Sequence, residues 1–196
     1  MSGPTDQPPH PIFQTLDRAQ SFPYSASEYA RRFLWQLVQS TLFRLPIPRG
    51  YAWRRFLLKC FGAKLGHRAG VHASTRIMHP WLLEMGDWTM LGPGATAYNL
   101  GKITIGQHTV ISQDVYLCAG THDYKNPTLP LLRPEICIGA GVWIAAGAFI
   151  GPGAIVGDNS VVGARSVVMG EIPPNVVAAG NPAHIIKPRK SPTNPV

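Results

Sequence analysis

The residue whose type and setting best suit chemistry is His122, in the run Ala119-Gly120-Thr121-His122. It opens an excursion of fifteen residues, 123–137, that contains Pro127, Pro130 and Pro134 and therefore reads as a semi-rigid projecting loop. Imidazole titrates near neutral pH. A histidine exposed at such a place can take the proton of a hydroxyl while that oxygen attacks an acyl carbon. Composition alone would make it an ordinary loop histidine. Asp123 is adjacent, but successive residues on an extended chain point apart, which argues against a simple pair. His67, His72 and His108 invite a metal reading, the first two five apart and the third 36 beyond His72. Cys60, Cys118 and Cys137 are odd in number and form no Cys-x-x-Cys pair, so neither a disulfide framework nor a zinc-finger site is indicated.

The scaffold that must hold His122 is written as a repeat of six. From residue 138 an aliphatic returns every six positions: Ile138, Ile144, Ile150, Val156, Val162, Val168. A small residue follows in all but the last, and Val142, Ala148, Ala154, Ser160 and Ser166 stand four positions after. Upstream, Leu65/Val71/Ile77, Met85/Leu91/Ala97 and Ile105/Ile111/Leu117 repeat the phase, with two-residue slips between triplets and the long excursion after the third. Six is neither the helical nor the simple strand period. A triangular coil of three short strands buries this pattern, each coil stable only against its neighbours. About five coils follow. Pairs such as Gly139/Gly141 and Gly151/Gly153 suit the corners.

Residues 1–23 are Pro-rich and polar without periodicity, and read as loose or draped on the surface. Ser25-Ala26-Ser27-Glu28 matches a capping box, predicting a helix to about Leu45, ended by Pro46 and Pro48, with a second short helix from Tyr51 to Phe61. Leu34, Leu37, Val38, Thr41, Leu42 and Leu45 form the apolar face expected to cover the open first coil. The resulting organisation is an N-terminal extension and helical cap over 1–60, a β-helix over 61–187 and a flexible tail over 188–196.

Hydrophobic residues make up 45% of the 196, enough for a sizeable core, while charged residues reach only 14% against roughly 25% in an ordinary soluble domain. The net charge of +8 is uneven: residues 1–70 hold ten Arg/Lys against three acids, leaving +1 for the remainder. The nearly neutral body and the lack of any recognised motif argue against nucleic acid. The basic cap instead raises contact with an anionic membrane surface. No signal-peptide pattern opens the chain, and Phe33–Leu45 is too short and too polar to span a bilayer, so the expectation is cytoplasmic, with peripheral association at the inner face of the membrane.

The pattern resembles the left-handed parallel β-helix of hexapeptide-repeat acetyltransferases. The run GVWIAAGAFIGPGAIVGDNSVVGARSVVMGEIPPNVVAAGNPAHIIKPR is similar to the maltose and galactoside O-acetyltransferase branch. The stretch MGDWTMLGPGATAYNLGKITIGQHTVISQDVYLCAGTHDYKNP resembles acetyltransferases of colanic-acid and related exopolysaccharide clusters. The resemblance implies a homotrimer with acetyl-CoA in the groove between neighbouring prisms, transferring acetyl directly to a saccharide hydroxyl with His122 as general base. It further implies donor contacts at Trp143, Ala146, Ala164, Met169, Gly170, His184 and Lys187, and acceptor contacts at Asn99 and Asp87. Met169-Gly170 replaces the usual Thr-Lys, and His184 is a weaker cation than Arg, so Arg165, Arg189 or Lys190 would have to help with the CoA phosphates. No metal is expected.

The nearest alternative is N-acetylation of an amino sugar. A zinc carbonic-anhydrase-like β-helix would need a different order of histidines from that of His67, His72 and His108. A non-enzymatic scaffold would need neither His122 nor Trp143 and the Asn181-Pro182-Ala183 element.

Overall fold

A computed structural model describes residues 14–19, 24–47 and 50–190. The repeat becomes a prism with three parallel sheets. Face one stacks Lys64–Leu65, Leu83–Met85, Ile103–Ile105, Ile136–Ile138, Ile155–Val156 and Glu171–Ile172. Face two stacks Gly70–Val71, Met90–Leu91, Val110–Ile111, Trp143–Ile144, Val161–Val162 and Val176–Gly180, and is finished by the antiparallel strand Ala183–Pro188. Face three stacks Arg76–Ile77, Thr96–Tyr98, Tyr116–Cys118, Phe149–Ile150 and Val167–Val168. The result is five complete coils and two sides of a sixth, and the hexapeptide period is that of a left-handed β-helix.

Each periodic aliphatic points into the prism: Ile77, Ile111, Ile144, Ile150 and Val162 are all fully buried. The positions four further on are buried too, and where they carry hydroxyls these donate to a carbonyl one coil along, as Thr109 Oγ1 does to Gly139 O at 2.7 Å and Ser160 Oγ to Pro173 O at 2.7 Å. A buried hydroxyl is thereby satisfied. The corners turn through a left-handed residue, Gly141, Gly147 and Gly153 at φ 65, 66 and 76°, but also Arg68, Trp88, His108 and Asn159. Gly139, the other partner of a Gly-x-Gly pair, answers to space instead: a Cβ there would lie 2.7 Å from the Asp158 nitrogen in the next coil.

Two helices seal the first coil. α1 (Ala26–Ser40) starts where Ser25 Oγ accepts from Glu28 N–H at 3.3 Å, and α2 spans Gly50–Cys60. α1 ends earlier than expected; a 3₁₀ turn, Leu42–Arg44, completes the approach to Leu45. The cap bonds the open edge with side chains. Trp35 Nε1 donates to Ile77 O at 2.6 Å, Gln39 Oε1 accepts from Ile77 N–H at 2.7 Å, and Arg54 Nε donates to Val71 O at 2.8 Å. The expected apolar face is wrong by part of a turn. Trp35 and Phe43 are the fully buried residues and Val38 packs beside them, whereas Leu34, Leu37, Leu42 and Leu45 are exposed. The edge demanded a donor and an acceptor as well as apolar surface, and the residues able to give both, Trp35 and Gln39, set the rotation of the helix. The reading of residues 1–23 as loose lies largely outside the described residues, as does most of the tail. Within 14–19 a 3₁₀ turn, Leu16–Arg18, is present.

Candidate active site

After Tyr116–Cys118 the chain leaves face three and forms a small hairpin. Thr121–His122 pairs antiparallel with Leu131–Leu132, Thr121 opposite Leu132 and His122 opposite Leu131. The tip is organised locally. Asp123 Oδ1 accepts from Lys125 N–H at 3.0 Å, and Asn126 Oδ1 accepts from the Thr128 amide at 3.0 Å and its hydroxyl at 2.9 Å. The carboxylate of Asp123 is thus spent on its own turn. Leu129 N–H bonds to Asn126 O at 2.9 Å, and Leu129 adopts φ 47°.

That unusual backbone aims the Leu129 carbonyl at His122, whose Nδ1 lies 2.6 Å away. A carbonyl can only accept, so Nδ1 carries the proton. In the neutral ring the lone pair is then on Nε2, the tautomer a proton acceptor needs. The orienting group is main chain, and no residue type in the sequence announces it.

His122 lines a cleft of about 770 Å³. The hairpin forms one wall with Thr128, Leu129, Pro130 and Leu131; the prism contributes Met78, Tyr98 and Leu100; the N-terminal extension supplies Arg18, Tyr24 and Arg32. The extension is therefore more than a lid on the first coil. It is held against the hairpin by Thr15 N–H donating to Pro127 O at 2.9 Å. No periodic pattern marks Arg18 or Tyr24, and their trace in the sequence is the basic excess of the first 70 positions; Arg32 lies on the predicted helix.

Below the cleft, His79 and Asn99 are both fully buried. His79 N–H donates to Asn99 Oδ1 at 2.9 Å, Asn99 Nδ2 donates to His79 O at 2.5 Å, and His79 Nδ1 stands 3.0 Å from Asn99 O. Burial holds the His79 imidazole down at about 4; the Asn99 bond opposes this, and the charges of Arg32, Arg133 and Arg31 add to it. Asn99, an expected acceptor contact, has both ends of its amide engaged in this brace. Asp87 lies at a different corner, between faces one and two, where its Oδ1 accepts from His67 N–H at 2.7 Å. Asp158 makes the same bond to Ala140 N–H at 2.7 Å further up that corner.

The expected donor contacts are spread over face two, the corner that follows it, and the corner between faces three and one. Trp143 is 49% exposed on face two, its Nε1 donating to Ser112 Oγ at 2.9 Å. Ala146 and Ala164 stack one coil apart at the next corner, with Arg165 N–H bonded to Ala146 O at 2.9 Å. Met169 and Gly170 lie exposed at the corner from face three to face one. His184 and Lys187 lie exposed on the final strand of the sheet that carries Trp143. Arg189 spends one guanidinium nitrogen on Gly141 O, at 2.8 Å. A single chain does not bring this set against His122. His67, His72 and His108 also stay apart: His72 Nδ1 is 2.8 Å from Ser74 Oγ, and among the described residues no three His, Cys, Asp or Glu side chains converge on a metal position.

Comparison with known proteins agrees with this architecture. Residues 138–170 match the bacterial transferase hexapeptide (six repeats) family model. WcaF of Escherichia coli (strain K12), provisionally named a colanic acid biosynthesis acetyltransferase, is 45% identical over 156 residues, covering 80% of this chain and 86% of WcaF. A maltose O-acetyltransferase from Clostridium difficile 630 superposes with a TM-score of 0.78 at 27% identity, over 85% of this chain and 90% of that one. The hexapeptide-repeat acetyltransferase VCA0836 of Vibrio cholerae O1 biovar eltor, solved with acetyl coenzyme A, gives 0.79 at 26% identity, over 90% and 96%. The repeat, the coil-by-coil register and these relatives place the chain in the family of hexapeptide-repeat acetyltransferases.

Proposed function

We propose that the protein transfers acetyl from acetyl-CoA to a saccharide hydroxyl in exopolysaccharide assembly of the colanic-acid kind. The observation that carries this reading is His122, fixed by Leu129 O in the proton-accepting tautomer within a cleft large enough for a small ligand. His122 Nε2 takes the hydroxyl proton as the sugar oxygen bonds to the thioester carbonyl carbon. The tetrahedral species then expels the CoA sulfur, which receives that proton back from the imidazolium. An acetyl ester and free CoA leave, with no covalent enzyme intermediate.

Donor binding follows the relatives' use of acetyl-CoA. Trp143, Ala146 and Ala164 would flank its pantetheine arm, the small corners letting it lie close; Met169 and Gly170 would border the nucleotide end, and His184 and Lys187 would meet its phosphates. The separation of these residues from His122 within one chain fits a homotrimer in which the groove lies between two prisms. Asn99 would act by holding the cleft floor, and Asp87 would reach an acceptor only from a neighbouring chain. A cytoplasmic site suits use of acetyl-CoA, and no described helix is long and apolar enough to cross a membrane. The exposed Phe33, Leu34 and Leu37 on α1, beside a basic cap, would rest on anionic lipid. Protein that stays unbound in flotation with anionic vesicles removes that contact.

A mass-spectrometric acceptor screen with acetyl-CoA tests the central claim. His122→Ala is expected to lower turnover by about 10²–10⁴-fold with its fold intact. Near-wild-type turnover refutes the role, and an acetylated product resistant to hydroxylamine would be an amide and would redirect the reading to an amine acceptor.

A further inference from the structure

The cleft that contains His122 is basic in an unusual way. Arg18, Arg32 and Arg133 line it, arriving from a 3₁₀ turn, from α1 and from the far side of the hairpin, and no acidic residue is among its described lining. Arg32 and Arg133 converge further: their guanidinium carbons lie 4.2 and 4.5 Å from the centroid of the same ring, that of Tyr24. Arg31, the neighbour of Arg32, is used differently. Its guanidinium bonds Phe61 O at 2.8 Å and covers Trp81, which is a structural task.

Neutral sugars present hydroxyls that donate as well as accept, and a site for them needs acceptors such as carboxylates. Arginine offers only donors, in a fork matched to phosphate and carboxylate oxygens. Gathering guanidinium groups in one cleft also costs Coulomb energy between them, and Arg32 and Arg133 meet on a single ring. A bound anion would offset that cost. The cleft volume of about 770 Å³ leaves room for a sugar ring beside the charge, with Tyr98 in its wall.

We propose that the acceptor is an anionic saccharide, its phosphate or carboxylate group held by Arg18, Arg32 and Arg133 while a hydroxyl of the same molecule faces His122. This deepens the acetyl-transfer reading and rests on it for the second half only. The test is calorimetric binding of three probes to the full chain: glucose, glucose 1-phosphate and glucuronate. At least one charged probe should bind ten times or more tightly than glucose, and the tighter of the two identifies phosphate or carboxylate as the group recognised. Arg18→Gln, at an exposed residue, and Arg133→Gln should each weaken the charged probe about tenfold and flatten its salt dependence, with acetyl-CoA binding unchanged; Arg133→Lys controls for loss of the fork at constant charge. Equal binding of all three probes, or binding of none, overturns the proposal even if acetyl transfer is observed. Tight anion binding in a protein that transfers acetyl to nothing would leave this site standing and remove the transferase reading.

Discussion

The corner between face three and face one occurs in coil four as four residues, Gly151-Pro152-Gly153-Ala154, and in coil three as seventeen, 119–135. The strands that follow do not register the difference. Ile136 pairs with Ile103 and Ile138 with Ile105, and Ile138 then pairs with Val156 in the ordinary way. Strand pairing from coil to coil, together with the inward aliphatics, fixes the prism, so the covalent route between strands is free to vary. In coil four Gly153 turns at φ 76° and nothing projects. In coil three the surplus chain becomes a hairpin, a fixed imidazole and one wall of a cleft. Regularity supplies the support and the interruption supplies the chemistry.

Erasing that difference should have the largest effect. Replacing 121–133 by a tight turn copied from coil four should abolish acetyl transfer, beyond about 10³-fold, while circular dichroism stays that of a β-helix. A protein that no longer folds would show that the hairpin also supports the coils. The converse change strikes the regular part: Ile144→Ala, at a fully buried position, should cost about 2–5 kcal/mol in denaturant unfolding with the kinetics of the folded fraction unaltered. An intermediate effect is expected from pH. The folded state holds His79 neutral down to about 4, whereas an unfolded His takes its proton near 6.5. Stability is therefore full above about pH 6.5 and is lost as pH falls toward 4, by at most about 1.4 kcal/mol per pH unit. His79→Gln should flatten that slope. The smallest change sharpens the comparison inside the hairpin. Asn126→Ala removes both bonds that its side chain accepts from Thr128, loosens the turn that sets the Leu129 carbonyl and should lower kcat by roughly threefold to tenfold, with KM for acetyl-CoA unchanged, since a net hydrogen bond is worth about 1 kcal/mol and only part of the loss reaches the imidazole.

What could be read from the residues follows the same division. The periodic inward positions from Leu65 to Val168 are legible because a flat strand alternates its side chains, whereas Leu83, Ile103 and Ile136, a second inward residue on face one, are not, and Ile136 belongs to a strand where the sequence pattern suggests a loop. His122 stood out because it sits where the phase breaks. Its orienting partner did not, since a carbonyl has no letter of its own and Leu129 gives no hint of φ 47°. The walls at Arg18 and Tyr24 are equally silent, since they come from a segment without period; Arg32 lies on the predicted helix, but nothing in its position announces a cleft. On α1 a hydrophobic pattern misled, because Leu34 and Leu37 mimic a core stripe while Trp35 and Gln39 do the bonding.

The two ends of the prism are finished by different means. At one, indole, amide and guanidinium groups take up the first coil's main-chain valences. At the other, the chain doubles back as Ala183–Pro188 and lays a strand of opposite direction on face two. A parallel stack has no intrinsic length; one more coil always fits. With side-chain bonds on two faces of the first coil and a reversed strand on one face of the last, continuation of the coil by another copy is opposed at each end, which works to hold a ladder capable of indefinite growth to the length of one chain.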